Sequence, residues 1–313
     1  MTTRPNSLPA VSAMTSGAPP GDRGKRHRAD RGKRHRAVAV LRVVREHFVM
    51  IVFSAIFVSP IAYMIIGSLK PSGEVLNGLR GFEPTHLSFQ NYTGVVSRFN
   101  SDATGHFGQF YLTSAIVSFV VVVGGLIVNS LAGYALARLK WKGRNAALLV
   151  VIMLVIVPFE AIAVPLYYLM NTYRNTYYVQ FLPFVASAFS IYLFYSFFAG
   201  MPRQLEEAAR IDGATPLKTF LLIIVPMSKP IFATVTILTF LSSWGSFLWP
   251  VMTVDDPSVR PLPLEISVFQ GQPPLDWGQI FAFGVMLVAP ILVVFLLFQR
   301  WFVQSVASSG LKG

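Results

Sequence analysis

Pro202-Arg-Gln-Leu-Glu-Glu-Ala-Ala-Arg-Ile-Asp-Gly213-Ala-Thr-Pro-Leu-Lys-Thr-Phe-Leu-Leu-Ile-Ile-Val-Pro226 is a polar helix-turn-helix set between two long apolar runs. Pro202 suits the first turn of a helix, where its missing N–H costs nothing, and Glu206 and Glu207 lie near the positive end of that helix's dipole. Glu206 and Arg210 stand four apart in the acid-first order, a pairing that adds only about 0.2–0.5 kcal/mol. Leu205, Ala208, Ala209 and Asp212 fall on one side at helical spacing, and the two alanines leave room for another backbone to approach. Gly213 ends the helix because it adopts a left-handed C′ conformation without a Cβ penalty. Thr215 followed by Pro216 reads as an N-cap and first-turn proline, so a second helix starts almost at once. In a chain otherwise built for lipid, this is where contact with a soluble partner is expected.

The surrounding composition sets the fold class. Hydrophobic residues make up 53% of the 313, charged ones 13%, and the mean hydropathy is +0.55, which places the chain outside the soluble globular range. Apolar runs near the ~20 residues needed to cross a bilayer occupy 48–69, 111–137, 146–168, 178–200, 230–252 and 279–299. An all-α, polytopic membrane protein with six transmembrane helices follows. The first run is too long for a signal peptide and lacks a small-x-small cleavage site, so it is expected to remain as an anchor. Of the 26 Lys and Arg, 21 fall in the N-terminal segment, the second and fourth loops and the C-terminal end. The positive-inside rule therefore places both termini and the opening motif in the cytoplasm of a multi-pass cell-membrane protein.

Several chemistries are absent from the sequence. There is no cysteine, so disulfides and thiolate metal sites are excluded, and the five scattered histidines give no metal-ligand spacing. No HExxH, GxSxG or Walker A stretch occurs, so neither a catalytic residue nor a cofactor or metal site is assigned. If ATP drives this protein, another chain supplies the nucleotide site. Residues 1–47 contain a tandem octapeptide, Asp22–Ala29 repeated as Asp30–Ala37, with four basic residues and one Asp in each copy. Such a segment cannot bury enough surface to fold alone. It is expected to be a disordered cytoplasmic tail resting on anionic membrane lipids, at about 1 kcal/mol per basic residue near the surface, with docking to a protein partner as an alternative. Without aromatic residues between its charges it offers no nucleic-acid site. The first outer loop, about 70–110, carries Lys70, Arg80 and Arg98 against Glu74, Glu83 and Asp102. With aromatics such as Tyr92 and Phe99 expected to be exposed, it is suited to form one face of a docking surface.

The opening stretch resembles the EAA loop of binding-protein-dependent ABC importer permeases, whose pattern is Glu-Ala-Ala, three residues, Gly, nine residues, Ile, one residue, Leu-Pro. The corresponding residues are Glu207-Ala208-Ala209, Gly213, Ile223 and Val225-Pro226, with valine in place of leucine. The run Ala132–Arg144, Ile211-Asp-Gly-Ala214, the Trp244 segment ending in Pro250, Gln299–Val303 and Gly310–Gly313 are similar to the maltose-type, six-span permeases of the carbohydrate uptake family. The resemblance covers roughly 48–313 and leaves the basic tail outside. Where that family often has Trp-Asn in the fifth span, this chain has Trp244-Gly245.

The resemblance implies a second homologous permease, an ATPase subunit dimer beneath and an extracytoplasmic solute-binding protein above. It further implies that Glu206, Glu207, Ala208, Ala209, Asp212 and Gly213 form a cytoplasmic coupling helix, with Glu207 seated in the ATPase cleft. Gly310–Gly313 would then be placed to reach the ATPase interface. Inside the spans an ionisable residue costs about 2.5–3.5 kcal/mol on insertion scales. Glu160, between Pro158 and Pro165, is therefore a candidate for the substrate path, unless it lies at the outer mouth or bonds a neighbouring helix. Trp244, Phe247 and Trp249 are candidates for stacking on sugar rings, with packing or interfacial anchoring as the alternative; Ser242, Ser243 and Gly245 lie beside them and permit close helix contact or a water-lined wall. The expected function is uptake of a sugar or oligosaccharide by an ATP-driven importer of which this chain is the permease. The rivals are an importer of a non-sugar solute and a membrane scaffold or sensor that recruits a soluble protein.

Overall fold

The computed structural model describes residues 23–101, 105–271 and 275–310. The chain divides into two compact units between Ile61 and Ala62. Its long helices are α1 (Arg23–Ser68), α3 (Phe107–Arg138) and α11 (Trp277–Gly310). Shorter ones are α2 (Gln90–Arg98), α4 (Arg144–Ile156), α5 (Phe159–Met170), α6 (Ala188–Ala199), α7 (Gln204–Ile211), α8 (Pro216–Thr219), α9 (Lys229–Trp244) and α10 (Leu248–Thr253). Among the described residues the only strand pairing is a two-residue antiparallel contact, Asn100–Ser101 with Gly105–His106. Among the described residues, four helical stretches are long and apolar enough to cross a membrane: 42–68, 107–138, 177–199 and 277–301. Two bent pairs bring the number to six when each is one span.

In the first unit α1 begins at Arg23, so residues 23–47, expected to lack structure, continue the anchor helix upstream. The arginines, lysines and alanines of the repeat are good helix formers, and propensity counts where packing does not decide. The expectations for residues 1–22, Asp102 and residues 311–313 lie outside the described residues.

The second unit is organised around α3, which packs against α6 and α9, while α9 packs against α11. The α3–α6 contact depends on a small residue. A Cβ on Gly133 would meet Phe194 Cβ at 2.6 Å, the backbone N of Tyr195 at 2.9 Å and the carbonyl of Ile191 at 3.1 Å. In lipid, helix association has little hydrophobic driving force, and close backbone approach supplies the dispersion contact instead. Toward one end of α3, Tyr134 and Ala137 pack with Phe194, Phe198, Phe220, Ile224, Ile231 and Val235. Toward the other, Phe110 packs with Val95, Phe99, Trp244, Leu262, Phe269 and Phe283. Phe99 is 2% exposed and Tyr92 half-buried, which corrects their place on an outer docking surface; Phe82 and Phe89, 37% and 74% exposed, are aromatics of this loop that face out. Phe99 turns inward because the rings of Phe110 and Phe269 take it edge-on, with centroids at 5.4 and 5.6 Å.

Three of the expected continuous spans are interrupted. The 146–168 run breaks at Val157-Pro158 with a bend of 104°. Proline disfavours the helical region for the residue before it, and Val157 is extended. In the 178–200 run, Val185 and Ser187 lie in a break before α6. Asn129 Nδ2–H donates to Val185 O (3.1 Å) and its Oδ1 accepts from Ser187 N–H (2.9 Å), so the freed backbone groups are paired inside the apolar body. The 230–252 run ends its first helix at Trp244, with Gly245 as C-cap, and restarts as α10.

Replacing Gly133 by Val is expected to destabilise the fold by about 1–3 kcal/mol through overpacking against the α6 backbone. A lowered midpoint in thermal unfolding of the purified chain in lipid nanodiscs checks this; an unchanged midpoint contradicts the close approach.

Candidate functional site

Arg138 closes α3, and the loop around α7 lies against that end. α7 begins at Gln204, so Pro202 precedes the cap instead of sitting in the first turn, a one-to-two-residue difference of the kind helix ends show. Its C-terminus has the double closure of a Schellman motif. Ala214 N–H donates to Ala209 O (2.9 Å) and Gly213 N–H to Arg210 O (3.0 Å), with Gly213 at φ +77°. Thr215 then caps α8, its Oγ1 accepting from Lys218 N–H at 3.3 Å, and Pro216 takes the first position. Beyond α8 the chain widens to a π-helix over Phe220–Ile224, before Pro226, which has no N–H to offer the turn before it. The chain then bends by 81° between Met227 and Lys229.

The two faces of α7 differ from the expected division. Glu206 (8% exposed) and Ala209 (6%) turn inward. Glu207, Ala208 and Asp212 face solvent, as does Ile211 at 87% exposure. Successive helical residues are 100° apart, so one of two consecutive glutamates can be taken inward while the other stays out. Glu206 is taken inward because Arg138 Nε lies 3.5 Å from its Oε1, with both side chains almost fully buried. This ion pair replaces the expected Glu206–Arg210 pairing along the helix. The same guanidinium donates from Nη2 to Met201 O at 2.6 Å. Arg138 is the residue that sequence reasoning missed as part of this site. Its signal was available: a basic residue ending a span and two adjacent acids in the next loop on the same side.

The opposite end of α3 joins the third and fifth loops. Gln109 Nε2–H donates to Ser258 O and to the Tyr177 hydroxyl, and Asn175 Oδ1 accepts from the backbone N–H groups of Asp255 and Asp256. Arg174 pairs with Asp255 at 2.6 Å. The second and fourth loops thus meet at one end of α3 and the third and fifth at the other, the alternation that the charge distribution requires. Also in the fifth loop, Glu265 is 1% exposed, and burial pushes its carboxyl above the usual glutamate range, opposed by Arg260 at 3.7 Å.

The membrane candidates are not gathered into one place. Glu160 stands exposed in the first turn of α5, directly after the break at Pro158. Trp244 is 2% exposed; its indole N–H donates to Leu287 O (2.9 Å), Phe240 stacks on it at 5.4 Å, and Tyr111 meets it edge-on. The ring is thus committed to packing, apart from what it presents to a cavity of about 520 Å³ that Tyr111, Phe240 and Pro290 also line. Phe247 is 42% exposed. It is Trp249 that reaches the neighbourhood of Glu160. Its indole N–H donates to Val179 O (2.7 Å), and the ring of Phe159, next to Glu160, meets it edge-on at 6.0 Å.

The described helices include four to six long and apolar enough to cross a membrane, with the capped helix α7 set against one end of α3. The chain belongs to the family described as binding-protein-dependent transport system inner membrane component, whose model matches residues 129–308. It is 33% identical over 270 residues to the arabinooligosaccharides transport system permease protein AraQ of Halalkalibacterium halodurans, covering 85% of this chain and 94% of that one. It is 30% identical over 269 residues to the trehalose/maltose transport system permease protein MalG of Thermococcus litoralis, covering 84% and 94%. The fold is similar to that of a chain in the crystal structure of a bacterial ABC transporter involved in the import of the acidic polysaccharide alginate. The TM-score there is 0.69 at 21% identity, over 85% of this chain and 97% of that one.

Two outcomes test the geometry. Gly213→Val places a β-branched residue in left-handed backbone at a cost of about 1–2 kcal/mol, and amide exchange at residues 209–214 is expected to accelerate roughly five- to thirtyfold, with Gly213→Asn milder. The Glu265 carboxyl, raised in the folded state, favours folding below its unfolded-state value, and that advantage is lost as pH rises through the folded value. Glu265→Gln is therefore expected to raise the thermal midpoint at pH 7–8, with the gain vanishing in acid below the ordinary glutamate range; a pH series of unfolding scans reads this directly.

Proposed function

We propose that this chain is a permease subunit of an ATP-driven, binding-protein-dependent importer of a sugar or oligosaccharide. In this reading residues 48–313 are the transmembrane domain, 1–47 a basic tail on the lipid surface, and both termini are cytoplasmic. α7 is the coupling helix: nucleotide-driven closure of a partner ATPase dimer moves it as a rigid body and switches the spans between inward- and outward-facing states. A second, homologous permease completes the pathway and a solute-binding protein delivers the solute from outside.

The observation that carries the proposal is the exposed ridge of Glu207, Ala208 and Ile211 on a helix closed at its C-terminus by a Schellman motif. A large apolar side chain left 87% exposed beside an alanine and a carboxylate is the anatomy of an interface anchor with a charged rim. The absence of a Walker A stretch supports an ATPase in another chain. The sugar assignment rests on relatives whose names specify arabinooligosaccharides and trehalose/maltose. Among the path candidates, Glu160 and Phe247 keep accessible groups for solute, whereas Trp244 shapes the wall through packing. Ala209, being buried, seats α7 on its own chain, and Ala208 is the small residue offered to the partner.

In the importer reconstituted with its partner subunits, Ile211→Glu is expected to cut solute uptake and substrate-stimulated ATP hydrolysis by about 30-fold or more, the scale of losing a hot-spot anchor. The chain should still insert and fold. Uptake and substrate-stimulated ATP hydrolysis at the parent rates would overturn the coupling role of α7.

A further inference from the structure

The last two turns of α3 touch the entry to the loop that carries α7, the first turn of that helix and the exit of the loop. Arg138 Nη2 donates to Met201 O on the chain entering the loop, and Arg138 Nε faces Glu206 Oε1 in the first turn of the helix. One turn earlier, Tyr134 packs against Phe220, where the chain leaves the loop, with ring centroids 5.0 Å apart. The Arg138 and Glu206 side chains are only 2% and 10% exposed, and neither facing atom has a hydrogen-bond partner. The charges thus have each other and little water. From this geometry we infer that Arg138 and Glu206 form the internal pivot through which α7 is held to α3, so that Glu206 is a positioning residue and Glu207 alone of the two acids faces outward. The inference rests on the coupling role proposed for α7 and assigns the link by which its motion reaches the membrane core.

The physical argument concerns rigidity. A buried ion pair adds little net stability, because desolvation of both charges offsets their attraction, but removing one partner leaves an uncompensated buried charge. A helix held by such a pair has one seated position and resists tilting away from it. Without the pair, displacement of α7 is absorbed in the loop and does not reach α3, which packs on both α6 and α9.

The chain has no cysteine, so Ile211→Cys gives a single nitroxide site on the full-length protein in lipid nanodiscs. Glu206→Gln and Arg138→Gln are each expected to raise the mobility of that label about threefold or more. The double variant, which leaves no lone charge, should lie closer to the parent than either single change, a non-additive result that independent packing losses do not produce. In the assembled importer, with Ile211 restored, Glu206→Gln is expected to lower solute moved per ATP hydrolysed by about tenfold, as coupled residues in one network do. Label mobility unchanged in both single variants overturns the pivot and leaves the coupling role standing. Parental transport by Ile211→Glu overturns the coupling role whatever the label reports.

Discussion

A helix that breaks inside lipid exposes backbone groups that the surroundings cannot solvate, and this constraint governs the rest of the second unit. The break before α6, and carbonyls at two other points of the chain, are matched to polar side chains from neighbouring elements. Asn129 holds both sides of the break before α6, and Trp249 bonds the carbonyl of Val179. Arg138 bonds the carbonyl of Met201 at the loop entry. An unpaired backbone group in such a place costs several kcal/mol, so these contacts fix which helices lie side by side. α3 supplies two of the three side chains, and it also supplies Gly133, where α6 approaches closest. It is the reference to which the other elements are set.

The two ends of α3 do different work. At one end the third and fifth loops are joined by a mesh of side-chain and backbone hydrogen bonds through Gln109, Asn175 and Gln180. At the other, Arg138 ties the loop of α7 and Tyr134 packs on Phe220 at its exit, while most of the remaining described surface of that helix is left to solvent. A hydrogen-bonded mesh at one end and a helix that is capped, tethered and exposed at the other suit a protein that receives a mechanical input at one end. The proposed coupling role follows from that asymmetry as well as from the motif.

The solute path is the part least settled by residue type. Aromatic rings near a helix break invite a stacking role, yet Trp244 and Trp249 spend their N–H groups on carbonyls of the same chain and their faces on neighbouring rings. A tryptophan in lipid that finds a carbonyl partner is held in one orientation, which makes it a good wall and a poor adaptable platform. Phe247 and Glu160 lack that restriction, being exposed beside helix breaks at Gly245 and Pro158.

The sequence by itself determined the class, the alternation of its loops and the local form of α7. Apolar length, the bias of Lys and Arg, Gly213 as terminator and Thr215-Pro216 as the restart are local facts, set by backbone sterics and by transfer into lipid. Only the tertiary structure decided which way the side chains face. Glu206 and Glu207 are chemically identical neighbours, and nothing in their own helix distinguishes them. Arg138, 68 positions before Glu206, does so by offering a buried charge to one of them. Phe99 was misplaced for the same reason, since an aromatic residue carries no local mark of whether another ring or a carbonyl will meet it. Burial and pairing are properties of contacts between distant segments, and they exist only once the helices are packed.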